Sequence, residues 1–171
     1  MKKKFIFYFT LLSLTIFACR QNSNMTYDYT SLSVDTSNTI IFKWDGTLYT
    51  FTNFSEPLAL SNDDIKLADS LLNDAVDKFN KTNSKGLYQA FNKQVPIDSF
   101  IIDLSKYKRQ FFPYRDINGQ RVFYLVCFSK TFPEWRNKIY HGGLHYGITK
   151  FTLRVNLSDR KADELSTGSY G

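Results

Sequence analysis

The chain is 171 residues long, with 22 basic and 16 acidic residues and a formal net charge of +6. This length favours a single domain that can bury a core of its own. Residues 1–18, interpreted below as a signal peptide, contain three lysines and no acidic residue, so the charge of the remaining chain is +3. So small an excess excludes the strongly basic class of nucleic-acid-binding proteins, and we expect no nucleic acid partner.

The N-terminal residues have the pattern of a bacterial lipoprotein signal. Residues 2–4 are lysines and residues 5–18 form an apolar run, which is too short for a membrane-spanning helix and typical of a signal peptide. The run ends in Ile-Phe-Ala-Cys at residues 16–19, which resembles the lipobox of bacterial lipoproteins. The resemblance implies lipidation at Cys19 and attachment to the membrane through acyl chains. Plain secretion and an uncleaved anchor are the alternatives.

The segment that begins at Cys19 separates the signal peptide from the predicted domain. Residues 19–37 are rich in Asn, Ser, Thr and Asp, which is typical of a flexible tether. Residues 38–171 are then expected to form a single α+β domain. We expect the protein to be lipid-anchored in the bacterial cell envelope, in the outer membrane, and the sequence leaves the leaflet open.

The first predicted element of the domain is a β-hairpin over residues 38–51. Apolar residues alternate on both sides of Asp45-Gly46, among them Ile40, Phe42, Tyr49 and Phe51. Asp-Gly favours a two-residue turn, because both central residues tolerate positive φ.

An amphipathic helix is predicted next. Ser61 and Asp64 have the spacing of a capping box, and apolar residues then recur every three or four positions up to Phe79. The pattern predicts a helix over residues 63–81 that is ended by breakers at residues 83, 84 and 86. Residues 87–91 allow a further short turn of helix, and residues 97–104, after Pro96, predict a strand.

The centre of the predicted sheet is a hairpin at Asn118-Gly119, between two runs rich in aromatic and aliphatic residues. Asn-Gly favours a type I′ turn, which would place Asp116 opposite Arg121. The alternative is a type I turn over residues 116–119 with a glycine bulge, which shifts the register by one residue and places Arg115 opposite Arg121. We prefer the first register.

A third strand is predicted over residues 151–157, where apolar residues alternate with Thr152, Arg154 and Asn156. Together these elements predict an α+β fold, namely an antiparallel β-sheet of about six strands with one main amphipathic helix packed on one face. Cys127 is expected to be a small buried hydrophobic residue rather than a reactive thiol. Trp135 is likewise expected in the core.

Basic and aromatic residues interleave on and beside the central hairpin. The candidate binding residues here are Tyr107, Lys108, Arg109 and Arg115, because cations between aromatic rings suit an anionic glycan, lipid phosphates or a protein partner. The competing interpretation is a solvated sheet face whose charges protect its edge.

Two further candidate binding residues, His141 and His145, lie in a glycine-rich segment. Two histidines four residues apart can share a metal ion on a helix, but Gly142 and Gly143 disfavour a helix here. A ligand-contacting loop and a simple turn into the next strand are the alternatives. No set of residues in the sequence fixes a metal site, a cofactor site or a catalytic group, so we expect none.

The C-terminal half contains a set of residues at 103–110, Asn118-Gly119, Cys127-Phe128, Trp135, Gly142-Gly143 and 155–157. Together with the lipobox, this set resembles small uncharacterised lipoproteins of Bacteroidota, and the resemblance covers residues 103–171. It implies a lipid-anchored envelope protein and no assigned activity.

These observations favour a non-enzymatic binding module that is held at the membrane by lipid on Cys19 and binds an envelope protein or an anionic glycan. One alternative is an envelope hydrolase that uses the loop from His141 to Gly147. Another is an inhibitor or immunity protein, which differs from the first hypothesis only in what the partner does.

Overall fold

The structure, a computed structural model, describes residues 32–43, 54–91, 95–130, 133–141 and 147–168. These residues contain one long helix, α1 (Asn62–Ala90), and seven strands. The strands are β1 (Thr39–Ile41), β2 (Phe54–Pro57), β3 (Lys108–Asp116), β4 (Arg121–Phe128), β5 (Lys150–Asn156), β6 (Lys161–Ala162) and β7 (Ser166–Thr167). Short 3-10 helices cover Ile97–Phe100, Leu104–Lys106 and Gly147–Thr149.

One mixed sheet contains all seven strands. Its main order is β1-β3-β4-β5-β6, with β2 beside β1 along one edge of β3, and β7 beside β6 along the outer edge of β5. β1 runs parallel to β3, and the other pairs are antiparallel. The predicted α+β class is confirmed, whereas the prediction of a purely antiparallel sheet is wrong for β1. Parallel pairing needs a long connection, which the chain between β1 and β3 supplies because it includes α1.

The N-terminus of α1 is the one that the sequence predicts. Ser61 and Asp64 form a reciprocal capping box. The Asp64 carboxylate accepts hydrogen bonds from the Ser61 N–H at 2.9 Å and from the Ser61 hydroxyl at 2.8 Å. These bonds satisfy donors that a helix start otherwise leaves unpaired.

The C-terminus of α1 differs from the prediction, since the helix ends at Ala90 and not near Lys81. Ser84 is buried inside the helix, and its hydroxyl donates to the carbonyl of the residue four positions earlier. Leu87 packs against the core beyond it. Tertiary packing of this last part outweighs the weak helix propensity of Gly86.

The strand predicted over residues 97–104 is wrong, because this segment forms the two 3-10 helices with Ile102 between them. The Asn80 side chain on α1 takes the place of a neighbouring strand. Its amide nitrogen donates to the Ile102 carbonyl and its amide oxygen accepts from the Ile102 N–H, both at 2.9 Å. Phe100 and Ile102 are still buried, as the apolar pattern implies.

The central hairpin adopts the glycine-bulge register, so our preferred register is wrong. Arg115 lies opposite Arg121. The Gly119 N–H donates to the Asp116 carbonyl at 2.8 Å, and Gly119 has a φ of +75°. The Asp116 side chain accepts from the N–H groups of residues 118 and 120, both at 2.9 Å. An aspartate at the first position of a type I turn, followed by a left-handed glycine, stabilises this register over the type I′ turn.

The register decides which residues face α1. One face of the central strands carries Phe111, Phe123, Leu125 and Cys127, which pack with the apolar stripe of α1. The opposite face forms a second buried cluster, composed of Ile40, Phe42, Phe112, Tyr114, Val122, Val126, Phe128, Trp135 and Ile139. The sheet is therefore covered on both faces, by α1 on one and by the connection between β4 and β5 on the other.

Several local predictions can be compared with this arrangement. β5 covers Lys150–Asn156 with its apolar residues buried, which confirms the third strand. Cys127 is completely buried, and Trp135 is buried as predicted. For the first predicted hairpin, the structure places a strand at Thr39–Ile41, while its turn at Asp45-Gly46 lies outside the described residues.

Gln110 fixes the connection that covers the second face. The side chain is completely buried on β3. Its amide nitrogen donates to the carbonyls of Trp135 at 2.7 Å and Lys138 at 2.8 Å, and its amide oxygen accepts from the Tyr140 N–H at 2.8 Å. One amide thus satisfies three backbone groups of a segment that has no strand partner.

We expect the substitution Gly119→Ala to destabilise the protein by about 1 kcal/mol, because alanine is unfavourable at positive φ. A Cβ at Gly119 would meet no atom within 4 Å, so the expected loss of stability comes from the backbone conformation and not from a steric clash. Gly86→Ala is the matched control, since a Cβ there also has open space but the backbone is helical. It should stabilise by about 0.5–1 kcal/mol. Urea denaturation of both variants measures this difference, and equal effects would contradict the bulge.

We expect Gln110→Met to destabilise the protein by about 3 kcal/mol, because the backbone groups of residues 135, 138 and 140, which are buried or partly buried, lose their partners. Hydrogen exchange should show the largest loss of protection in residues 135–140 and a smaller one in α1. Gln89→Met, at an exposed position of α1, is the control and should change stability by less than about 0.5 kcal/mol. Unchanged protection of residues 135–140 would show that Gln110 does not hold this segment.

Candidate functional site

Three cations lie over two aromatic rings on the sheet face opposite α1. The Lys108 Nζ is 5.5 Å and the Arg136 Cζ 4.4 Å from the centre of the Trp135 ring. The Lys150 Nζ is 5.8 Å from the centre of the Tyr140 ring. Cation–π attraction at these distances favours the position of each positive group over its ring. We refer to these five residues as the basic surface.

The rings of the basic surface are themselves held by packing. Tyr140 stacks on Phe128 with ring centres 4.3 Å apart, and Trp135 meets the same Phe128 ring edge-on at 6.4 Å. Trp135 is 7% exposed, so its ring supports the cations and is not itself available to a large ligand. The cations are the part of this surface that a partner can reach.

Hydrogen bonds to neutral groups orient the three cations. The Lys108 Nζ donates to the Ser37 carbonyl at 3.0 Å and to the Asn38 side chain at 2.7 Å. Arg136 donates to a backbone carbonyl at residue 36, and Lys150 donates to the His141 carbonyl, both at 2.6 Å. Among the described residues no carboxylate forms an ion pair with Lys108 or Arg136. Their positive charges are therefore available to an anion.

The arginines of the central hairpin are in a different situation, because each has a carboxylate partner. Arg109 pairs with Asp69 at 3.4 Å and Arg115 with Glu56 at 3.0 Å. Arg121 pairs with the buried Asp64 at the start of α1. These ion pairs also explain how Arg115 and Arg121 tolerate lying opposite each other. The ion pairs connect β3 and β4 to α1 and β2, so the three arginines do not form an open basic patch.

The predicted binding residues are therefore split. Side chains alternate across a strand, so Lys108 lies on one face of β3 while Arg109 and Arg115 lie on the other. Tyr107 is 3% exposed, and its hydroxyl donates to the Ile148 carbonyl at 2.6 Å. It packs on Phe151, and we assign it to the core. Of these four residues, Lys108 alone belongs to the basic surface.

The two histidines can be placed only in part. His141 is exposed at the edge of the basic surface, where its carbonyl accepts from Lys150. His145 lies outside the described residues, so its role stays a prediction. No three His, Cys, Asp or Glu side chains come together as a metal site within the described ranges. The hydrolase hypothesis gains no group from this part of the chain.

Sequence reasoning did not find Arg136 and Lys150 as site residues. Both come from outside the central hairpin, one from the connection after β4 and one from the start of β5. The adjacency of Trp135 and Arg136 is the signal that could have indicated them. Arg136 meets Lys108 because the connection folds back over the sheet, where Gln110 holds it. Lys150 is placed by strand pairing, since Phe128 lies opposite both Lys108 and Lys150.

Burial shifts the acid–base properties of two groups. Desolvation lowers the pKa of Lys150 below its ordinary value, because partial burial disfavours the charged ammonium. An anion bound beside Lys150 would oppose this effect by stabilising the charged form. Burial raises the pKa of the Cys127 thiol far above its ordinary value, so this cysteine is not a nucleophile.

Within the residues that the structure describes, no helix has the length and hydropathy required to cross a membrane. Comparison of the chain with protein-family models, curated proteins and solved structures finds no match in any of the three. The resemblance to small lipoproteins of Bacteroidota therefore stays a prediction.

Proposed function

We propose that the protein is a lipid-anchored, non-enzymatic binding module of the bacterial cell envelope. Lipid on Cys19 attaches it to the outer membrane, and residues 20–31 connect the anchor to the domain, since Leu32 and Val34 already pack against the core. The domain binds an anionic partner through the basic surface of Lys108, Trp135, Arg136, Tyr140 and Lys150. The partner is an anionic glycan or the acidic surface of another envelope protein.

The observation that carries this proposal is the arrangement of three cations over two packed rings. Among the described residues, Lys108 and Arg136 donate to neutral groups and have no carboxylate partner. Side chains that are already held in place lose little conformational entropy when a ligand binds. Positive groups that are not neutralised attract carboxylates and phosphates over several ångströms. A glycan or protein that carries such groups fits this surface better than a neutral ligand does.

The lipid anchor is tested by substitution of Cys19. In cells that receive an alkyne-bearing fatty acid, the unsubstituted protein should become labelled and should fractionate with membranes. Cys19→Ser should lose the label and leave the membrane fraction, because serine lacks the thiol that receives the lipid. Cys127→Ser is the control and should keep the label. Labelling of the Cys19→Ser variant would show that the anchor is elsewhere.

The binding role is tested by photo-cross-linking in cells. A photoreactive amino acid replaces Lys138, whose side chain is 64% exposed next to the basic surface. The same amino acid at Lys85, on the exposed side of α1, serves as the positional control. We expect an adduct from position 138 and not from position 85. Mass spectrometry of the adduct distinguishes a protein partner from a glycan.

Replacing Lys108, Arg136 and Lys150 together with glutamine should reduce the adduct by about tenfold, because three lost charge contacts of about 0.5 kcal/mol each sum to about 1.5 kcal/mol. The matched variant replaces Lys66, Lys81 and Lys85, all exposed on α1, and changes the net charge equally. It should leave the adduct unchanged. Equal loss in both variants would mean that net charge and not this surface attracts the partner. Denaturation curves of both variants verify that they are folded.

A further inference from the structure

β6 forms an outer edge of the sheet. Within the described residues the main strand order ends at β6, which pairs only with β5. Ala162 lies opposite Val155, and the neighbouring Asp163 N–H donates to the Arg154 carbonyl at 2.9 Å. Hydrogen-bonded and non-hydrogen-bonded pairs alternate along an antiparallel ladder. The N–H and C=O of Ala162 therefore point away from β5, toward the open edge.

The charges around Ala162 form a self-complementary pattern. The sequence from residue 160 to residue 164 is Arg-Lys-Ala-Asp-Glu, two cations followed by a small residue and two carboxylates. All four charged residues are exposed, and Ala162 is half-buried. An exposed edge strand is a template for pairing with another strand unless something opposes it. The charges here repel a strand that carries charge of a single sign, but they attract an antiparallel strand with the same charge pattern.

We propose that β6 pairs with β6 of a second copy of this chain, in an antiparallel arrangement with a two-fold axis at Ala162. Residues whose numbers sum to 324 then lie opposite each other. Lys161 of each copy faces Asp163 of the other, and Arg160, in the turn before β6, comes near Glu164. The two Ala162 residues exchange their N–H and C=O groups across the axis, and the two sheets become continuous. Such an interface is isologous, the commonest kind in soluble dimers.

The surroundings of β6 are open beside α1. A cleft of about 460 Å³ lies between α1 and residues 160–165. Its apolar lining residues are Leu71, Ala75, Phe79, Ala162 and Leu165, and Asp74 and Lys78 of α1 add charges of both signs. The small side chain of Ala162 lets two strands meet at the axis without a clash.

Charge explains why the occupant is a second copy. Each opposing pair of the β6–β6 register combines opposite charges, whereas a purely acidic or purely basic segment would meet two repulsive contacts. A two-residue strand buries less area than stable dimers do, so the dimer is weak in dilute solution. Attachment of both copies to one membrane would raise their effective concentration. The β6 pairing itself does not depend on that attachment.

The test uses the full-length protein in membranes, with two copies that carry different tags. Ala162→Cys places two thiols across the axis, where directly opposed Cα atoms lie about 5.5 Å apart, a separation that a disulfide can bridge. Oxidation with copper phenanthroline should join the two tagged copies. Lys85→Cys on α1 is the control and should give no more product than the unsubstituted protein. The absence of a joined product from Ala162→Cys would overturn the proposal.

Charge variants test the register. In the Ala162→Cys background, an acidic variant carries Arg160→Glu and Lys161→Glu, and a basic variant carries Asp163→Lys and Glu164→Lys. Each variant alone should lose about tenfold in cross-linking, because like charges then face each other. When the two variants are mixed, every opposing pair is again opposite in charge, and cross-linking should return. Loss without return in the mixture would overturn the proposal, as would cross-linking that does not respond to charge.

Discussion

The left-handed backbone of Gly119 and the turn that it completes set the register of β3 and β4. Side chains alternate across a strand, so a shift of one residue would move the side chains of one strand to the opposite face of the hairpin relative to those of the other strand. In the observed register, Phe111 and Leu125 meet the apolar stripe of α1, while Lys108 and Gln110 face the other way. The core, the ion pairs to α1 and the basic surface all depend on this single choice.

The segment that covers the second face has backbone N–H and C=O groups that need hydrogen-bond partners, and one side chain supplies several of them. The described part of the connection between β4 and β5, residues 133–141, crosses the sheet without a strand partner, so its backbone groups need other bonds. Gln110 supplies three of them from a completely buried position. The same bonds place Trp135 beneath Lys108 and bring Tyr140 beside Lys150. The hydrogen bonds of Gln110 therefore both pair these backbone groups and bring the two rings of the proposed binding surface into place.

The two proposed interaction surfaces differ in their electrostatics. The basic surface concentrates charge of one sign, which suits a ligand of the opposite sign. The β6 edge carries two cations before Ala162 and two carboxylates after it, which suits a copy of itself in antiparallel orientation. Because β6 lies at the outer edge of the main strand order and the basic surface lies on the face over β3 and β4, pairing through β6 leaves Lys108 and Arg136 accessible. A dimer would present two basic surfaces to a repeating anionic partner.

The sequence by itself determined the local features. It predicted the capping box at Ser61, the buried Cys127, a strand over residues 151–157 that the structure places at Lys150–Asn156, and the α+β class, because periodicity and capping act over a few residues. Only the tertiary structure decided the hairpin register, the nine further residues of α1 and the parallel pairing of β1. Each of these depends on energies between segments far apart in the chain. The basic surface belongs to the same class, since Lys108 and Arg136 meet only after the connection has packed on the sheet.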